Sequence, residues 1–183
     1  MMLRRLSLVL LLLSTALAAC DGGGKWEDDC ETTAGVIECA PDKRPPAPDL
    51  SGELLEGGSY NLTQDRGTVV VVNFWGSWCS PCRAEIDDLE QTYQATKGQG
   101  VTFLGINVRD DRDKAKAFQQ GRVGYPSIVD PGSKLALNFD VPPNTIPATI
   151  ILDREGRIAV VIRDAVKQDQ LQPLVARVAA EAS

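Results

Sequence analysis

The stretch Thr68 to Cys82, TVVVVNFWGSWCSPC, constrains this chain more than any other. Thr68 to Phe74 is a nearly continuous β-branched, apolar run, the pattern of a strand buried on both faces. Trp75-Gly76-Ser77-Trp78 then leads into Cys79-Ser80-Pro81-Cys82. Pro81 is tolerated in the first turn of a helix, so the spacing predicts strand, turn, then helix from Ser80 to about Lys97. Cys79 falls at the helix start, where free N–H groups and the macrodipole favour a thiolate and lower its pKa. Cys82 lies one turn on, on the same face, where it can close a disulfide and is expected to be the more shielded sulfur. That layout suits thiol–disulfide exchange, with one sulfur attacking and the other resolving the mixed disulfide.

The other residue counts narrow the chemistry. Histidine is absent, which removes Cys-His nucleophile pairs, histidine metal sites and Ser-His-Asp triads. Arg83 stands where a c-type haem attachment motif needs histidine. Five cysteines are present: Cys20, Cys30, Cys39, Cys79 and Cys82. Four without Cys20 allow three pairings, and short-range geometry favours Cys79 with Cys82, leaving Cys30 with Cys39. In an oxidising compartment that second pair closes a small loop and holds a poorly packed segment; a second redox pair that relays electrons, or free thiols, are the other readings. A structural zinc at Cys79 and Cys82 would need Cys30 and Cys39 as further ligands, so no metal and no cofactor beyond the redox disulfide is expected.

The N-terminus reads as an export signal over residues 1–19. Arg4 and Arg5 precede the apolar run Leu6 to Leu17, which is too short for a comfortable membrane span. Leu17-Ala18-Ala19-Cys20 resembles the lipobox of bacterial lipoproteins, which implies cleavage before Cys20 and lipidation of its thiol. Cleavage there takes the 19 basic residues down to 17 against 25 acidic ones, a net charge of −8. An acidic chain is a poor nucleic-acid binder. Residues 20–46 read as a flexible tether rich in Gly, Asp and Pro, and residues 47–183 as one folded domain, expected to act as a monomer.

Along that domain, Pro48 to Leu62 predicts a β-hairpin turning at Gly57-Gly58. A strand is expected over Val101 to Val108, then a helix capped by Asp110 or Asp111 and running to about Gln120. The charges at its start read as a solvated helix end. Gly121 to Asp140 carries a short strand, a turn at Asp130-Pro131-Gly132 and a short helix. Thr149 to Leu152 and Arg157 to Ile162 form a hairpin, and Val166 to Ala180 a closing helix. The expected class is α/β, a mixed central sheet flanked by helices on both faces.

The segment Val72 to Glu85, VNFWGSWCSPCRAE, resembles the active-site segment of the TlpA/ResA-like thioredoxin-fold proteins. These are membrane-tethered thiol–disulfide oxidoreductases outside the bacterial cytoplasm, and the resemblance covers about residues 47 to 180. It implies a thioredoxin-like fold with the N-terminal hairpin and the strand–helix insert. It also implies that the Ile146–Pro147 bond is cis and lies beside the dithiol, leaving the Ile146 backbone to pair with a client segment; the plainer reading is a proline before a strand. Glu85, three residues past Cys82, matches a glutamate that tunes the thiols in that group; the plainer reading is a solvated helix residue. Asn73 departs from plain thioredoxin, which has aspartate there, so Glu85 is the better proton acceptor. Trp78 is expected to cover the disulfide or simply pack, and Pro81 to restrict the turn.

The resemblance implies a lipid-anchored reductase of exported proteins, including apocytochrome c, recharged by a membrane electron carrier. An oxidase running the other way uses the same parts, although Ser80-Pro81 and the small insert argue mildly against it. A peroxidase would need a threonine shortly before its cysteine, and none stands there. A non-catalytic binding lipoprotein would need an inaccessible, apolar Cys79.

Overall fold

The computed structural model describes residues 26–181. The export signal and Cys20 lie outside the described residues. In chain order the elements are β1 (Glu31–Thr33), β2 (Val36–Glu38), β3 (Ser51–Glu53), β4 (Ser59–Asn61), β5 (Val69–Trp75), α1 (Ser80–Thr96), β6 (Val101–Val108), α2 (Arg112–Gln119), β7 (Ser127–Asp130), α3 (Lys134–Asn138), β8 (Ala148–Leu152), β9 (Ile158–Ile162) and α4 (Gln168–Ala180). Seven strands form a mixed sheet in the order β1-β2-β9-β8-β5-β6-β7, and β3 pairs with β4 as a separate hairpin. β5, β6 and β7 run parallel; β8 and β9 run antiparallel to their neighbours.

β5 is buried along its whole length, which is why its sequence shows no polar alternation. Val70, Val72 and Phe74 pack with Ala115 of α2 and Ala136 of α3 on one side of the sheet. Val69 and Val71 pack with Leu89 of α1 and Leu171 and Val175 of α4 on the other. The sheet is thus covered on both faces, as the alternating order of strands and helices predicts, and the fold is thioredoxin-like.

The N-terminal segment corrects the sequence reading. Residues 26–46 are packed onto the domain instead of forming a flexible tether. β2 runs antiparallel to β9, with Val36 opposite Ile162 and Ile37 opposite Val161. Further along, Cys39 N–H donates to the Ala159 carbonyl and Ala47 N–H to the Gly156 carbonyl. The Arg44 side chain is only 4% exposed and reaches Asp153 at 3.2 Å and Glu181 at 2.5 Å. Two adjacent apolar residues are too few to show a period. Their partner strand lies near the other end of the chain, so no local pattern announces the pairing.

The closing helix starts later than expected, at Gln168. The Val166 N–H donates to the Glu85 carboxylate, and Lys167 is extended (φ −109°, ψ 153°) as the residue before the helix.

Candidate active site

The end of β5 delivers the chain to a short turn, and α1 begins at once. Cys79 caps α1 with extended backbone, and its sulfur accepts the Cys82 N–H at 3.2 Å. Pro81 sits in the first turn, where the missing N–H costs no helical bond. Cys79 and Cys82 are joined in a disulfide. The expected contrast in shielding is absent in this oxidised state: Cys79 is 4% and Cys82 3% exposed. The bond ties both sulfurs into one core cluster, and Cys79 Sγ lies 3.7 Å from the Ile146 carbonyl oxygen.

Trp78 stands beside the disulfide and is half exposed. Its Nε1 donates to the Val108 carbonyl at 3.2 Å, and the Arg109 guanidinium lies over its ring. A Cβ on Gly76 would come within 2.6 Å of Trp78 Nε1, so only glycine leaves room for this ring position. Ser77 is held by Asp110, which accepts from its backbone N–H and its hydroxyl and also from Asn107 Nδ2. Asp110 therefore pins the active-site turn, while Asp111 caps α2 by accepting from Lys114 N–H. The sequence reading saw only helix-start charges here. The missed signal was the second aspartate, since one cap needs one side chain.

The Ile146–Pro147 peptide is cis. Pro147 and Ile146 are buried, and no backbone hydrogen bond engages the Ile146 N–H or C=O among the described residues. The preceding loop turns on a Thr145 N–H bond to the Pro142 carbonyl, and Arg109 donates to the Pro143 carbonyl at 2.6 Å. Arg109 thus links Trp78 to the loop that presents Ile146.

Glu85 lies one turn past Cys82 and is 1% exposed. Oε1 accepts from Asn73 Nδ2 and Oε2 from the Val166 N–H, both at 2.9 Å. Asn73 also donates to Thr149 Oγ1, its neighbour across the β5–β8 ladder. Burial pushes the Glu85 carboxyl up from 4.5 to about 7; the two donors oppose that shift, and Asp164 and Asp88 add to it. Asn73 therefore works as a donor to the carboxylate, a role an aspartate there would not fill when ionised.

Cys30 and Cys39 form a second disulfide, across the β1–β2 hairpin, with Cα atoms 4.5 Å apart. Arg44 and Gly76 were not singled out from the sequence. Arg44 carries no local signature, because its carboxylate partners come from the β8–β9 turn and the end of α4.

Comparison with known proteins agrees with this geometry. The model of the AhpC/TSA family matches residues 44–161. The thiol-disulfide oxidoreductase ResA of Geobacillus thermodenitrificans is 30% identical over 128 residues, covering 69% of this chain and 72% of that protein. ResA of Bacillus subtilis is 28% identical over 126 residues, 68% of this chain and 69% of its own length. Among solved structures, a secreted thiol-disulfide isomerase from Corynebacterium glutamicum superposes with a TM-score of 0.76 at 36% identity, covering 80% of this chain and 93% of that one. A DsbF homologue from Corynebacterium diphtheriae gives 0.73 at 36% identity, covering 78% and 92%. With its Cys79–Cys82 pair set at a helix start beside Ile146, the chain belongs to the AhpC/TSA family of thioredoxin-fold proteins and is a thiol–disulfide oxidoreductase of the TlpA/ResA type.

Proposed function

We propose that this oxidoreductase works as a reductase of disulfides in exported proteins, apocytochrome c among them, held at the outer face of a bacterial membrane by a lipid on Cys20. The observation that carries the reading is the joint placement of three groups: the Cys79–Cys82 pair, the unpaired Ile146 backbone 3.7 Å from Cys79, and the buried Glu85 one turn behind. A client strand pairs with Ile146 and brings its disulfide to Cys79. The Cys79 thiolate, favoured by the start of α1, attacks one client sulfur and expels the other. Cys82 then loses its proton to the Glu85 carboxylate and attacks Cys79, releasing the second client thiolate and leaving the disulfide described above. A membrane electron carrier returns two electrons to the pair.

The lipid anchor is supported by Leu17-Ala18-Ala19-Cys20. Among the described residues no helix is long and apolar enough to cross a membrane. Because the domain is packed from Trp26 onward, only Asp21 to Lys25 separate it from Cys20. Six peptide steps span at most about 20 Å, so the anchored domain stays close to the lipid surface and to a carrier within it. Cys20→Ser is expected to move the protein from the membrane to the soluble fraction.

The direction of flux is tested by the reduction potential of the Cys79–Cys82 pair in defined thiol buffers, read by alkylation. A value below about −200 mV supports the reductase, whereas one near about −120 mV makes the protein an oxidase. Cys82→Ser is expected to accumulate mixed disulfides through Cys79; their absence would remove exchange altogether.

A further inference from the structure

A small cavity lies against Cys82, walled also by Asn73, Trp75, Gln119, Tyr125 and Ser127. It offers about 10 Å³ to the centre of a water-sized sphere, room for one water molecule. Gln119, on α2, is 7% exposed. Its Nε2 donates to the Tyr125 carbonyl at 2.9 Å, while its Oε1 is buried without a hydrogen-bond partner. Turning the amide over would set Oε1 against that carbonyl oxygen, so the oxygen is the atom left without a partner. Ser127 Oγ accepts from Trp75 Nε1 at 3.1 Å, and its own hydrogen finds no acceptor among the described residues. One acceptor and one donor without partners thus border a space of one water's size next to the second sulfur.

We propose that a single water molecule occupies this cavity and is a fixed hydrogen-bond donor to Cys82 in the reduced protein, accepting from Ser127 Oγ and donating to Gln119 Oε1 and Cys82 Sγ. Three partners are what a buried water ordinarily has. The inference rests on the reading of Cys82 as the resolving thiol. In that step the Cys82 S–H proton goes to Glu85, a new bond joins Cys82 to Cys79, and the bond from Cys79 to the client sulfur breaks with the client leaving as thiolate. The water neither gains nor loses electrons; its hydrogen bond stabilises the negative sulfur. Gln119 and Ser127 are positioning residues that act through it. In the oxidised protein the disulfide sulfur is a weak acceptor, so the water is held chiefly by Gln119 and Ser127.

The test measures both thiol pKa values in the reduced protein, from the pH dependence of alkylation at each cysteine, in wild type, Gln119→Met and Ser127→Ala. Each substitution is expected to raise the Cys82 value by roughly half a unit or more and to leave Cys79 in place, as loss of a donor to the charged form requires. A merely structural role would lower the melting temperature without separating the two cysteines. A high-resolution crystal structure of the reduced wild type, which needs no variant to fold, is expected to place a water within hydrogen-bond distance of Gln119 Oε1 and Cys82 Sγ. A dry cavity, or an unmoved Cys82 in both variants, overturns the proposal while leaving exchange by the wild type intact. A wild type that exchanges no disulfides would instead overturn the functional reading.

Discussion

Glu85 holds its proton to a pH far above that of an ordinary carboxylic acid, because burial outweighs the two hydrogen bonds that favour its charge. The folded value, about 7, lies above the 4.5 of an exposed glutamate, so the folded state binds the extra proton. The associated stability is complete below about 4.5 and is lost as pH rises through about 7, an effect on the order of 3 kcal/mol. Glu85→Gln is expected to flatten this loss, measured as denaturant unfolding free energy at pH 5 and pH 8. On the proposed mechanism, in which the ionised carboxylate takes the Cys82 proton, the same variant is expected to slow disulfide exchange roughly tenfold to a hundredfold and to erase the rise in rate through pH 7. The sequence put Glu85 on the face of Cys82. It did not announce the burial, because Asn73 and Val166 reach the carboxylate from β5 and from the approach to α4.

At the scale of elements, the turn between β5 and α1 is the critical joint. Asp110 holds it through Ser77 and Asn107, so Asp110→Ala is expected to lower stability by about 1–3 kcal/mol, seen as a reduced denaturant midpoint of the oxidised protein. The same variant leaves α2 capped, because Asp111 supplies that bond. Gly76→Ala is expected to drive Trp78 from its place over the turn, which a faster alkylation of Cys79 in the reduced protein would report. The strands and helices around this joint were legible because each is written locally. β6 over Val101–Val108 is mostly apolar and buried at all but Thr102, and α1 ends near Gly98 and Gly100. The cap of α2 was legible only as a choice between two aspartates, since the competing acceptor role is a contact between β6 and the active-site turn.

Over the whole molecule, the N-terminal segment extends the sheet by two strands, with β1 at its edge. It covers β9, which would otherwise be an open edge, and the Cys30–Cys39 disulfide holds its hairpin. Replacing both Cys30 and Cys39 with serine is expected to cost about 2–3 kcal/mol, read from the denaturant midpoint, with exchange by Cys79 and Cys82 unchanged at 25 °C. Loss of exchange in that variant would make the pair a relay instead. Arg44→Ala removes one of the two cations on buried Asp153, with Arg157 staying at 2.9 Å, and is expected to cost about 1–3 kcal/mol and to loosen residues 26–46 in hydrogen exchange.

The sequence by itself determined the succession of strands and helices from β3 to α4, the helix that carries Cys79 and Cys82, and the chemistry of the pair. Those follow from burial runs, a proline in a first helical turn and two sulfurs one turn apart, all expressed within a few neighbouring residues. Only the tertiary structure decided that residues 26–46 belong to the domain, that Asp110 grips the active-site turn, and that Glu85 is buried between donors. In each case the energy comes from groups far apart in sequence, a lone β2 pairing, a carboxylate meeting a distant N–H, an arginine shared by two acids, and a contact of that kind leaves no period in the chain that makes it.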